Sequence, residues 1–168
     1  MMKRTTLATL ALTVSLGTQP LLAEDDQTTS EAVKQLWQAQ QQALDAHDLA
    51  GVMQTFADGE DIMLMGTGPG EHWVGQAEIE DAFKHFMGGF DPNTMKAKCK
   101  EGVGHARDDV AWFTEVCHFR DRKDGKTRKF VANLSGVVIK QDDDWRFHSM
   151  HYSQVIGADP ASAPDASD

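Results

Sequence analysis

Three turn signals, Arg107-Asp108-Asp109, Asp124-Gly125 and Gln141-Asp142-Asp143-Asp144, divide the last third of the chain into four runs of similar length. Asp and Gly tolerate the positive φ angles that tight hairpins need, so each cluster marks a reversal rather than a helix boundary. The runs between them, approximately 94–106, 109–121, 127–140 and 145–156, alternate apolar and polar residues with a period near two. No other feature constrains the fold as much. Residues 94–156 must form a meander of long antiparallel strands.

A register follows from the turns. Centring the first hairpin on Asp108 sets Cys99 opposite Cys117 and Glu101 opposite Glu115. A two-residue Asp124-Gly125 turn sets Glu115 opposite Leu134, and an Asp142-Asp143 turn sets Leu134 opposite His151. One face then collects Cys99, Val103, Phe113, Cys117, Phe119, Phe130, Ala132, Leu134, Val138, Trp145 and Phe147. The other carries Trp112, Thr114, Val116, His118, Asn133, Ser135, Arg146, His148, Met150 and Tyr152. The first face is the drier and is expected to lie under helices. Directly opposed strand residues sit within disulfide range, and the chain holds two cysteines, so a Cys99–Cys117 bridge is expected.

Upstream the period changes. Thr28 and Glu31 have capping-box spacing, and Val33, Leu36, Trp37, Ala43 and Leu44 recur as on one face of a helix running to about His47. Asp48 is placed to cap a short second helix through Leu49, Val52, Met53 and Phe56. Ile62 to Met65 reads as a strand, Glu71 to Val74 as a brief extended piece after the Gly-rich 66–70 turn. Ile79, Ala82, Phe83, Phe86 and Met87 mark a helix closed by Gly88-Gly89. Helices first and an antiparallel sheet after is an α+β layout, with the helices on one sheet face.

At the amino end, Lys3-Arg4, an apolar stretch from Leu7 to Leu16 and small residues up to Ala23 have the order of a secretory signal. The expected organisation is therefore a signal peptide at 1–23, one domain at 24–156 and a disordered tail at 157–168 of Ala, Asp, Ser and Pro. The location is periplasmic or secreted, with no membrane attachment after cleavage. An oxidising compartment suits the disulfide. Removing residues 1–23 takes Lys3 and Arg4 from the 16 basic residues and none of the 26 acidic ones, which leaves a formal charge of −12. That balance opposes nucleic-acid binding, which needs clustered positive charge. The basic Arg120–Arg128 stretch reads as a solvated hairpin tip.

The proposed register runs a polar row across the dry face. Glu101, Glu115 and His151 are its candidate acid–base residues, because two close carboxylates raise one another's pKa and a nearby imidazole can relay the proton. Trp37, His72, Trp73, Phe113 and Leu134 are the candidate ligand-binding residues, and Trp73 offers a flat apolar contact after the Gly-rich turn. No His-Glu-x-x-His motif or ligand-spaced Cys pair appears, and the Gly-rich turn lacks a following Lys-Ser/Thr. No metal or other cofactor is expected.

The stretch Met63-Leu64-Met65-Gly66-Thr67-Gly68-Pro69-Gly70-Glu71-His72-Trp73-Val74-Gly75 with Glu78-Ile79 resembles the SnoaL-like branch of the nuclear transport factor 2-like superfamily. Val110-Ala111-Trp112, and Trp145-Arg146-Phe147 closing on His151-Tyr152-Ser153, are similar to its later blocks. The resemblance runs from about Glu31 to Gln154. It implies a cone-shaped fold with helices on a curved antiparallel sheet, a pocket for a small-molecule ligand at the wide end, and often a homodimer. The superfamily holds enzymes, partner-binding modules and domains of no known activity, so fold alone does not give function. The isomerases' Tyr with two Asp residues is not evident, since Tyr152 is the single tyrosine. A binder of a small, largely apolar molecule, a lyase or isomerase, and a dimeric interaction module are the three readings.

Overall fold

The structure, a computed structural model, describes residues 22–155 and 157. The predicted signal core and most of the predicted tail lie outside the described residues. The elements in order are α1 (Leu22–Ala46), α2 (Leu49–Met53), β1 (Met63–Met65), β2 (His72–Val74), α3 (Gln76–Met87), β3 (Lys96–Arg107), β4 (Val110–Lys123), β5 (Lys126–Gln141) and β6 (Asp144–Gln154). They form one six-stranded sheet in the order β2-β1-β6-β5-β4-β3, antiparallel except where β1 runs parallel to β6. The helices pack on its inner face.

Local chemistry explains the boundaries. Asp48 caps α2 by accepting from the Gly51 N–H at 3.0 Å. Gly75 precedes α3 at φ 82°, and the Glu78 carboxylate reaches back to accept from Val74 N–H at 2.9 Å. The Gly-rich loop closes on Glu71, whose carboxylate accepts from Gly68 N–H at 2.7 Å. A Cβ at Gly66 would stand 2.3 Å from a Glu71 carboxylate oxygen and 2.9 Å from its Cβ, so only glycine fits there. α1 differs from expectation at its start. It begins at Leu22, so Thr28 and Glu31 lie within it and do not open it, and the predicted cut after Ala23 falls inside the helix.

Two β-bulges change the register. The β3–β4 turn is Asp108-Asp109, half a residue off the predicted centre, which shifts the pairing by one residue, since Arg107 pairs with Val110. A bulge between Lys100 and Val103 takes up that residue, so Cys99 still faces Cys117. An added residue in one strand shifts the alternation beyond it. Val103 therefore faces Thr114 on the outer side, where it is 61% exposed, instead of joining the dry face. The β4–β5 pairing follows the predicted register throughout. In β5–β6 a second bulge lies between the pairs Val138–Phe147 and Val137–Ser149. It turns Met150 and Tyr152 inward, contrary to expectation, and sets Leu134 opposite Tyr152.

The core is centred on Phe147, fully buried, with ring centroids 5.9 Å from Phe56 and 6.3 Å from Phe113. Gly136 lies beneath the Phe113 ring, where a Cβ would come within 2.7 Å of a ring carbon. The β4–β5 hairpin tip is not simply solvated. Asp121, 1% exposed, takes two 2.7 Å bonds from Arg128, while Asp91 accepts from the Asp124 and Gly125 N–H groups.

Candidate functional site

Among the described residues, a more open depression of about 910 Å³ lies beside α2 and Arg146, and two cavities open between the helices and the inner sheet face. The larger of these two, about 660 Å³, is walled by Gln41 and Leu44 of α1, Leu64 and Trp73 of β1 and β2, and Ala82, Phe83 and Phe86 of α3. Phe119, Phe130, Ala132 and Tyr152 make its floor. Thr67 and Glu71 of the Gly-rich loop, Gln154, and Asp81 with His85 contribute its polar lining. His85 and Asp81 are exposed and engage each other at 3.4 Å. The smaller cavity, about 250 Å³, lies under the start of α1 and is lined by Val33, Trp37, Gly102, Phe113 and Glu115 among others.

The predicted ligand residues divide accordingly. Trp73 lines the larger cavity, and Trp37 and Phe113 line the smaller one. Leu134 is 1% exposed and packs in the core between Glu115 and Tyr152, lining neither. His72 is exposed on the outer face, because β2 pairs with β1 such that Trp73 takes the inward position beside Leu64.

The predicted acid–base row is corrected at both ends. Glu101 sits on the β3 bulge at φ 56° with its residue exposed, and the pairing with Glu115 is interrupted there. His151 pairs with Ser135 on the outer face and is exposed, since the β6 bulge reverses its side. Glu115 alone keeps its place. Burial raises the Glu115 carboxyl above the ordinary glutamate value. One strand beyond Leu134, Tyr152 is held well above the usual phenol range by burial, and further by the Glu115 charge. Glu115 and Tyr152 thus flank Leu134 on adjacent-but-one strands and sense each other electrostatically. Only the bulge brings Tyr152 into that row, which is why alternation counted from the turn missed it.

Glu115 also adjoins the disulfide. A carboxylate oxygen and the two Sγ atoms lie within 4.8 Å of one another. Cys99 and Cys117 are joined, so neither sulfur is available as a thiolate ligand.

Gln40 and Gln41 were missed as well, although the sequence carries a signal. Val33, Leu36, Trp37, Gln40, Gln41 and Leu44 occupy one helical stripe, and two amides interrupt an otherwise apolar series. Gln40 is fully buried and donates to Thr55 Oγ1 at 3.2 Å and Met150 Sδ at 3.3 Å. Gln41 contributes to the wall of the larger cavity, with both amide atoms shielded from solvent.

Comparison with known proteins matches this arrangement. A nuclear transport factor 2-like superfamily protein from Salmonella enterica serovar Typhimurium aligns with a TM-score of 0.68 at 19% identity, over 82% of this chain and 99% of its own. A protein provisionally named a dehydratase of the same superfamily, from Streptomyces avermitilis, aligns with a TM-score of 0.68 at 16% identity, over 78% and 99%. A protein of unknown function from Pseudomonas putida gives a TM-score of 0.66 at 17% identity, over 80% and 98%. These likenesses establish the cone-shaped α+β fold. No curated protein matches the chain. The family model for the SnoaL-like domain matches residues 33–157, from the first apolar position of the α1 stripe past the end of β6, and the chain therefore belongs to the SnoaL-like domain family.

Proposed function

We propose that this protein is an exported SnoaL-like domain that binds a small, largely apolar molecule in its larger cavity. The observation that carries the reading is the cavity itself. Its volume of about 660 Å³ lies within the usual range for small-molecule sites, and its walls are mostly aromatic and aliphatic with a few polar groups. Export rests on the order of charge, apolar stretch and small residues in 1–23, and on a disulfide that persists in oxidising compartments. N-Phenyl-1-naphthylamine, a neutral fluorescent probe, is expected to bind one per chain with an emission rise. Ala82→Phe, which fills the α3 wall, should weaken it roughly tenfold, equivalent to ~1.4 kcal/mol. Undiminished binding by a folded Ala82→Phe protein would place the probe elsewhere and remove the support.

A second reading is acid–base chemistry, a lyase or isomerase, and the Glu115–Tyr152 pair favours it. A carboxyl whose pKa is raised by burial is better matched to proton transfer than an ordinary glutamate. The provisional dehydratase name of the Streptomyces relative points the same way. Glu101 and His151 have no part in it. Because the folded pKa of Glu115 is raised, its ionised form costs stability in full above that folded pKa. The cost disappears below the unfolded value of 4.5. Glu115→Gln is therefore expected to stabilise the protein near neutral pH, with the gain vanishing in acid. Tyr152 is the only tyrosine, so its ultraviolet titration reports the same contact, and the variant should titrate at lower pH. An unchanged tyrosine midpoint would show that the two groups are uncoupled.

Self-association is the third element. With Met150 and Tyr152 turned inward, the outer face still exposes Val103 at 61%, Trp112 at 46%, Met65 at 42%, Val74 at 41% and Met63 at 39%. A two-fold contact would cover this surface with itself. Trp112→Arg is expected to weaken a homodimer by at least about tenfold, a typical effect for a central aromatic anchor, without loss of helix content. Sedimentation of the wild type as a monomer at high micromolar concentration would eliminate the dimer.

A further inference from the structure

The Gln41 amide is placed at odds with its surroundings. Its nitrogen and oxygen are both shielded from solvent, and neither has a hydrogen-bond partner among the described residues. A buried amide left so is destabilising, and native proteins pair nearly all such groups. The neighbouring Gln40 differs in part, with its nitrogen held by Thr55 and Met150 and its oxygen alone left without a partner. Gln41 instead stands in the wall of the larger cavity, among Leu44, Trp73, Phe83 and Phe119. Exchanging the amide's nitrogen and oxygen changes nothing, because both are unpartnered.

We propose that Gln41 reads the head group of the ligand, and that this ligand is a neutral molecule with an apolar body and a lactam or carboxamide head. The inference rests on the cavity-binding reading and specifies what the cavity accepts. An amide offers donors and an acceptor side by side, and another amide is its direct complement, returning one acceptor and one donor. A ketone or ether satisfies only the nitrogen, and a hydrocarbon satisfies neither atom. Charge selects against an anion. The ionisable lining includes Glu71 and Asp81 but no Lys or Arg, and His85 at the rim is already engaged by Asp81. A carboxylate head would enter an acidic cavity without a cation to meet it.

A site built around buried polar atoms discriminates strongly against molecules that leave those atoms unpaired. Three neutral probes of similar shape separate the possibilities by calorimetric titration: 2-quinolinone, its N-methyl derivative, and naphthalene. Wild-type protein is expected to bind 2-quinolinone at least about tenfold more tightly than either control. Gln41→Leu should lose that preference while keeping its affinity for naphthalene. The unliganded variant should also melt at a higher temperature than wild type, since an unpaired amide is replaced by an apolar group of similar size. Gln41→Met gives the same comparison with a more flexible side chain. If wild type binds all three probes equally, or if the preference survives in a folded Gln41→Leu protein, head-group reading is overturned and cavity binding stands. If no probe binds wild type, both fall together.

Discussion

Converting Cys99 and Cys117 to alanine together is expected to lower the unfolding free energy by about 3 kcal/mol, the scale for a disulfide that closes a loop of this length. The bridge joins β3, the edge strand at one end of the sheet, to β4, its one strand neighbour among the described residues. Without it the β3 edge depends on backbone pairing that the bulge at Glu101 and Gly102 already interrupts. Loss should therefore appear first as faster amide exchange in Lys96–Lys100 and only later as global unfolding. Denaturant unfolding of wild type and the double variant measures the magnitude. Protein recovered from the cell envelope should show no free thiol when denatured unreduced, and an intact mass beginning at or near Glu24. Two free thiols in that material would remove both the bridge and the compartment it supports.

Phe147→Ala is expected to cost about 3–5 kcal/mol, the largest effect of any single substitution considered. Its ring is wholly buried and meets Phe56 and Phe113, so truncation leaves a void between the segment after α2 and the sheet. Its backbone has a separate role. Phe147 N–H donates to Thr55 C=O at 2.8 Å, and its C=O accepts from Ala57 N–H at 2.9 Å, fastening the segment after α2 to β6. Those bonds survive the substitution. The variant should therefore keep its secondary structure while its chemical-denaturation midpoint falls sharply. A cost below ~1 kcal/mol would mean that the surrounding rings collapse into the gap, contrary to the close packing seen around Phe147.

The cavity and the stability of the core draw on the same stripe of α1. Leu44 is core, Gln40 is a core amide with its nitrogen partnered and its oxygen not, and Gln41 has neither atom partnered at the cavity wall. The binding role proposed for Gln41 would oppose stability, as is common where a site holds polar groups ready for a partner. The paired prediction for Gln41→Leu, a firmer unliganded protein with poorer discrimination, follows from that opposition. Glu115 presents the same conflict on the sheet side, as a carboxyl whose ionisation burial disfavours.

Turn chemistry alone was enough for the strands, because Asp and Gly at reversals act locally and do not depend on what packs above them. Period-two and helical patterns likewise reveal which elements form, and the two-residue Asp124-Gly125 turn carries its register without error along all of β4 and β5. The cysteine pairing was legible too, but for a reason the sequence does not display. An off-centre turn and a bulge cancel, and the correct partner results from two compensating departures.

Bulges are where local information ends. An extra residue in a strand is set by twist, by the packing of rings such as Phe113 over Gly136, and by the curvature that lets helices seat on the sheet. Gly102 is a local hint of the β3 bulge, whereas the β6 run holds no glycine to mark its own. Each bulge exchanges the faces of everything beyond it, so single-residue shifts moved His151 and Val103 outward and brought Met150 and Tyr152 in. The sequence by itself determined the elements, their order, the antiparallel meander and the family. Which side chains share a sheet face, and hence whether Glu115 answers to His151 or to Tyr152, was decided only by tertiary structure. Side-chain facing has a period of two, and one added residue is enough to invert it.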